Sequence, residues 1–226
     1  MAGQNPLSPQ FLAYVGPFGV FMGLLVLLPR LNLPIRVNLA IWLVVCALAI
    51  FVWSRQVLEF RPAQWVMSTL VGVAVFLLWI APDVLVPGWR SHWIFQNSIM
   101  GELKTSLPSD ALTDNLSLAM RVLRATLIVP IVEELFWRGW LMRWLIDPKF
   151  EEVPLGKYLL SSFLLVALLF ALEHGPYWDV GLLAGLAYNF WMVRTKRLSD
   201  LILAHAVTNG CLCAYVLRTG HWEYWL

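Results

Sequence analysis

The chain has 226 residues, 60% of them hydrophobic and 13% charged, with a formal net charge of +2. Its mean hydropathy is +0.70, whereas a soluble domain is about 45–50% apolar and about 25% charged. Too little polar surface exists to coat a soluble globule, so the surplus apolar surface faces lipid. With no basic stripe and no run of like charges, nucleic acid is excluded as a partner.

The first ten residues, MAGQNPLSPQ, hold no Lys or Arg. A cleavable signal peptide wants a basic start and a small-residue cleavage site, so the first apolar segment is expected to stay as a spanning helix. A span needs about 20 mostly apolar residues. Seven segments are candidates: 11–28, 37–53, 65–80, 116–145, 158–173, 180–193 and 198–217. The expected fold is an all-α, polytopic transmembrane bundle of about seven spans, with six to eight compatible with the pattern. It forms one domain over residues 1–226, with core helices in 116–217. Segment ends follow the breakers Pro29, Pro34, Pro62, Pro87-Gly88, Pro148, Pro154 and Gly175-Pro176, because proline removes a backbone donor and disfavours helix before it.

The fourth segment is too long for a simple span, and Arg121 and Arg124 suggest that its first turns are interfacial. Pro130 inside it should kink the helix or leave carbonyls free. The polar connection before it, 89–114, presents Trp89, Trp93 and Phe95 for the headgroup level. With seven spans, loop charges place the N-terminus in the cytoplasm. Cys46, Cys211 and Cys213 sit in apolar segments and read as small packing residues.

Ionisable side chains inside apolar segments are the informative ones. Each costs at least about 2.5–3.5 kcal/mol at mid-helix, and usually serves a site. Glu133 and Glu134 are adjacent, and Glu134 shares a helical face with Arg138 four residues on. Glu133 points about 100° away. Glu134 and Arg138 then form a structural pair while Glu133 faces a polar cavity, where a desolvated carboxylate can act as a base. A purely structural Glu-Glu-Arg network is the competing reading. Phe170 and His174 also share a face, at a helix end, where a lone His is commonly a satisfied polar group. Glu173 beside it is assigned no chemistry. His205 and Asn209 share a third face, and suit either interhelical glue or two donors aimed at an oxyanion. Gly181, Gly185, Tyr188 and Asn189 read as packing. If the three faces converge, Glu133, His174, His205 and Asn209 supply a base, a second proton carrier and two donors, an inventory for amide hydrolysis.

In that order, Glu133-Glu134-x-x-x-Arg138, Phe170-x-x-x-His174 and His205-x-x-x-Asn209 resemble the CAAX protease and bacteriocin-processing family, also called the Abi family. The stretch GLLAGLAYNFWMVRTKRLSDLILAHAVTN looks like its last two core helices, and the likeness covers residues 131–209. The resemblance implies an intramembrane endopeptidase. Glu133 and His174 would activate water, and His205 and Asn209 would hold the oxyanion. Glu134 and Arg138 would orient the site, and Phe170 would line it. The eukaryotic branch removes the last three residues of prenylated proteins. The small loops here look bacterial, which implies the inner (cytoplasmic) membrane and a membrane-anchored substrate with a C-terminal sorting signal. No cofactor is favoured. Zinc on Glu133, His174 and His205 is the alternative, although no His-Glu-x-x-His is present. A proton-coupled transporter or a non-catalytic scaffold or immunity protein would keep similar buried charges.

Overall fold

The computed structural model describes residues 8–225. Residues 1–7 and 226, with most of the N-terminal decapeptide read above, lie outside the described residues. Seven long helices fill the seven expected segments: α1 (Pro9–Leu31), α2 (Ile35–Ser54), α3 (Trp65–Leu85), α4 (Asn115–Trp144), α5 (Leu160–Glu173), α6 (Trp178–Thr195) and α7 (Leu198–Thr219). Five of the described helices are long and apolar enough to cross a membrane. The exceptions are α5 and α6. At 1.5 Å per residue, α5's 14 residues reach about 21 Å, short of the roughly 30 Å hydrocarbon core. It stops because His174 leads into a turn at Gly175, whose φ is +52°.

The ends have local causes. Ser8 caps α1, its Oγ accepting from Phe11 N at 3.1 Å. Asp114 caps α4, accepting from Ser117 N at 3.2 Å. The N-terminus of α3 is held from a distance, by the fully buried Asp200 carboxylate on Gln64 N at 2.7 Å. Helix α3 runs five residues beyond the expected stop at Ile80, to Leu85, through Pro82.

Two interhelix approaches build the core. A Cβ on Gly72 of α3 would lie 2.4 Å from Ala204 O of α7, so only glycine lets these helices meet. Gly72 O in turn accepts from Thr208 Oγ1 at 2.9 Å. On the other side Gly185 of α6 lies against Ala167 of α5, where a Cβ would come within 3.1 Å. Helix α1 leans on the C-terminal half of α4 through Phe18, whose ring stacks on Phe136 at 4.0 Å, and α2 packs along the N-terminal half. Their outer faces leave Val26, Val44, Leu48 and Phe51 exposed, as a lipid-facing wall does.

Helix α4 is not uniformly α. Two π-helical stretches, Arg124–Ile128 and Leu135–Leu141, flank an α-helical Val129–Glu134. Pro130 does leave a carbonyl free, and the register shows which one. Val129 N bonds Arg124 O, five residues back. In that register the next donor would be residue 130, which has no N–H, so Ala125 O loses its backbone partner.

Two expectations are corrected. Phe95 is not at a headgroup surface: it is 2% exposed, stacked against Trp178 and covered by Arg90 at 5.2 Å. Arg90 itself is buried and tied to Asp83, Asp179 and Pro176 O, which pins the 89–114 connection onto the end of α3, the turn after α5 and the start of α6. Arg121 and Arg124 do not face outward: Arg121 is buried, and both line an internal cavity. The three cysteines are free, with Cys46 and Cys213 buried in helix contacts as expected.

Candidate active site

A cavity of about 570 Å³ lies between α3, α4, α5 and α7. Glu133, His174, His205 and Asn209 all line it, as do Phe170 and Glu173. The helix faces separated in sequence therefore converge, and His174, at the end of the short α5, still opens on the same space.

The two adjacent carboxylates have different fates. Glu134 is fully buried and receives Arg138 NH1 on both oxygens at 3.1 Å. Arg138 is also fully buried. It donates Nε to Asn189 Oδ1 at 2.7 Å and NH2 to Gly185 O at 3.3 Å, and its guanidinium lies 4.5 Å over the Phe170 ring. Asn189 completes the chain through Nδ2 to Phe163 O at 2.7 Å. Every polar end of this network is used, which is what a buried charge pair requires.

Glu133 sits one residue earlier and is 5% exposed. Its Oε2 has no hydrogen-bond partner among the described residues. The nearest cationic or imidazole group across the cavity is His205, whose Nε2 lies 4.0 Å from that oxygen. His205 is set by its other nitrogen: Nδ1 lies 2.7 Å from Glu134 Oε1. A carboxylate only accepts, so Nδ1 carries the proton and Nε2 is the atom turned toward Glu133. The Tyr188 ring stacks on the imidazole at 5.0 Å, and its hydroxyl donates to Thr208 Oγ1 at 2.7 Å.

His174 is oriented in the same manner. Its Nδ1 lies 2.7 Å from Phe170 O, and its ring rests 4.6 Å from the Phe170 ring and 5.2 Å from Trp79. This leaves Nε2 as the free nitrogen. Asn209 donates Nδ2 to Ala125 O at 2.8 Å, the carbonyl that Pro130 left unpaired. One amide proton of Asn209 is thereby committed, and the second remains for a ligand. Glu173, given no role from sequence, accepts from Trp137 Nε1 at 3.2 Å and lines the cavity. Asn189 and Tyr188 were read as packing alone. Their polar ends position Arg138 and α7, a role that only the tertiary structure displays.

Glu133, His174 and His205 would have to close around one point to ligate zinc. Among the described residues, no three His, Cys, Asp or Glu side chains are grouped to hold a metal ion. In each of these imidazoles Nδ1 is engaged and Nε2 is free, which is also how metal-ligating histidines are held, so only the spacing of the three side chains speaks against a shared zinc.

Residues 115–211 match the family model described as Rce1-like, type II CAAX prenyl endopeptidase Rce1-like. No curated protein and no solved structure matches the chain. The match contains every side chain of the cavity's catalytic-type cluster, from Glu133 to Asn209. Over those residues this multi-pass integral membrane protein is similar to the Rce1-like type II CAAX prenyl endopeptidases.

Proposed function

We propose that the chain is an intramembrane endopeptidase that cleaves a membrane-associated substrate near its C-terminus, with Glu133 as the general base. The observation that carries this reading is Glu133 Oε2: a buried carboxylate oxygen with no protein partner, facing a cavity shared with His174, His205 and Asn209. A purely structural carboxylate would be paired as Glu134 is.

Water bound at Glu133 gives a proton to the carboxylate as its oxygen attacks the scissile carbonyl carbon. The C=O electron pair moves to oxygen, and the oxyanion forms. The remaining Asn209 N–H is one donor for it, and His205 is the second when Nε2 is protonated. When the C–N bond breaks, the proton held by Glu133 passes to the leaving amine, with the free nitrogen of His174 as second carrier. Glu134 and Arg138 hold His205 in place, and Phe170 fixes the His174 ring. We take the mechanism as glutamate-type. The 116–217 helices are the catalytic core of a single domain, and a C-terminal sorting signal in a bacterial cytoplasmic membrane is the substrate class.

The test compares protein C-termini by mass spectrometry in native cells carrying wild-type or Glu133→Gln protein. We expect a set of membrane proteins to keep intact tails only in the variant, with the cleavage rate down about 10²–10⁴-fold, the usual contribution of a general base. Normal trimming by well-expressed Glu133→Gln protein would sink the mechanism.

A further inference from the structure

The cavity has a second end. Arg121 and Arg124, six and nine residues after Asn115 at the start of α4, line it together with Thr105 and Ser106 of the preceding connection. Arg121 is 8% exposed, and its Nε has no hydrogen-bond partner; Arg124 Nε has none either. Neither guanidinium has a carboxylate within ion-pair distance among the described residues. Their contacts are aromatic faces, Trp225 under Arg121 at 5.4 Å and Trp42 under Arg124 at 4.9 Å. The carboxylates that share the cavity are committed elsewhere or lie at its far end. Glu102 pairs with Lys104 at 3.3 Å and is exposed, Glu173 holds Trp137, and Glu133 faces His205.

Two cations three residues apart, one buried and one half-buried, with no anion at ion-pair distance among the described residues, are costly in a membrane protein. Arginine presents a rigid fork that suits a carboxylate or phosphate. Helical geometry adds a length. Arg124 and Arg121 precede Glu133 by nine and twelve residues of the same helix, about 13–18 Å at 1.5 Å per residue. An extended peptide covers that span in roughly four to six residues at about 3.3 Å each.

We propose that Arg121 and Arg124 form an anion subsite for the terminal α-carboxylate of the peptide whose scissile bond lies at Glu133. The pair then acts as a ruler: the cut falls a short, fixed number of residues before the free C-terminus. This rests on the proteolytic reading of Glu133. The same fork would also fit the phosphate of an anionic lipid headgroup, and the experiment separates the two sources.

The measurement is binding, so that it does not depend on hydrolysis. Full-length protein carrying Glu133→Gln is placed in discs of neutral phosphatidylcholine and titrated with an N-acylated fluorescent apolar hexapeptide, as free acid and as C-terminal amide. The free acid is expected to bind at least tenfold more tightly. Arg121→Gln with Arg124→Gln should bring the acid-to-amide ratio close to one, and Lys at both positions should restore part of it. A purely structural role for the arginines would weaken acid and amide alike and leave the ratio unchanged. Equal binding of acid and amide by the parent protein, or binding of neither, overturns the proposal without any arginine variant. So does a parent that shows no acid preference but retains phosphatidylglycerol through the arginine pair, which would reassign the subsite to a lipid headgroup. Wild-type protein that binds the acid selectively but cleaves nothing would instead sink the proteolytic reading and leave the subsite standing.

Discussion

The two halves of α4 handle charge in opposite ways. In the C-terminal half, Arg138 meets a carboxylate, an amide and a carbonyl, and no donor that faces the protein is spared. In the N-terminal half, Arg121 and Arg124 lie over aromatic faces and have no ion pair among the described residues. Arg121 and Arg138 are both buried side chains of one helix, so burial alone does not explain the contrast. A charge that holds helices together is saturated by the protein. A charge kept for something else is left with its hydrogen-bonding capacity intact. Glu134 and Glu133 repeat the lesson at single-residue spacing.

The contrast predicts a graded series. Arg138→Ala should have the largest effect, because it strands the fully buried Glu134 carboxylate. A loss of about 3–5 kcal/mol is expected, seen as failed expression or a collapsed melting transition in detergent, and adding Glu134→Gln should recover part of it. A well-folded Arg138→Ala protein would dissolve the distinction between the halves. Asn189→Ala comes next. It removes the acceptor for Arg138 Nε and the donor to Phe163 O, and should cost about 1–3 kcal/mol by the same melting assay.

The smallest effect belongs to the N-cap of α4. Arg36 and Ser117 hold the Asp114 carboxyl well below the usual carboxylate range. A lowered folded-state pKa gives stability that is present above the unfolded value, near 3.9, and lost as pH falls toward the folded one. Wild-type melting temperature should therefore drop slightly more than that of Asp114→Asn on acidification below about pH 4. Identical acid profiles would show that the cap contributes nothing through its charge.

Much of the site was legible because helical period is local information. Glu134 with Arg138, and Phe170 with His174, are four residues apart, and the structure joins each pair directly. The seven apolar segments and the fold class follow from the same periodicity and from composition. What sequence could not supply is the angle at which one helix meets another. Asn189 looked like packing because its partner Arg138 is 51 residues away. Arg121 and Arg124 looked interfacial because Arg near a helix start commonly is. Their inward direction is set by how the start of α4 packs against its neighbours, and no residue spacing announces it. Phe95 was misplaced for a related reason: an aromatic near a segment end has the same pattern whether it meets lipid or is folded under a buried arginine.

The proline in α4 reaches further than the bend it was expected to make. Its missing proton leaves Ala125 O open, and an amide on α7, 84 residues later in the chain, occupies that opening. Positions 130 and 209 are therefore coupled through one carbonyl. A backbone N–H at 130 would compete for the same carbonyl and turn the asparagine loose.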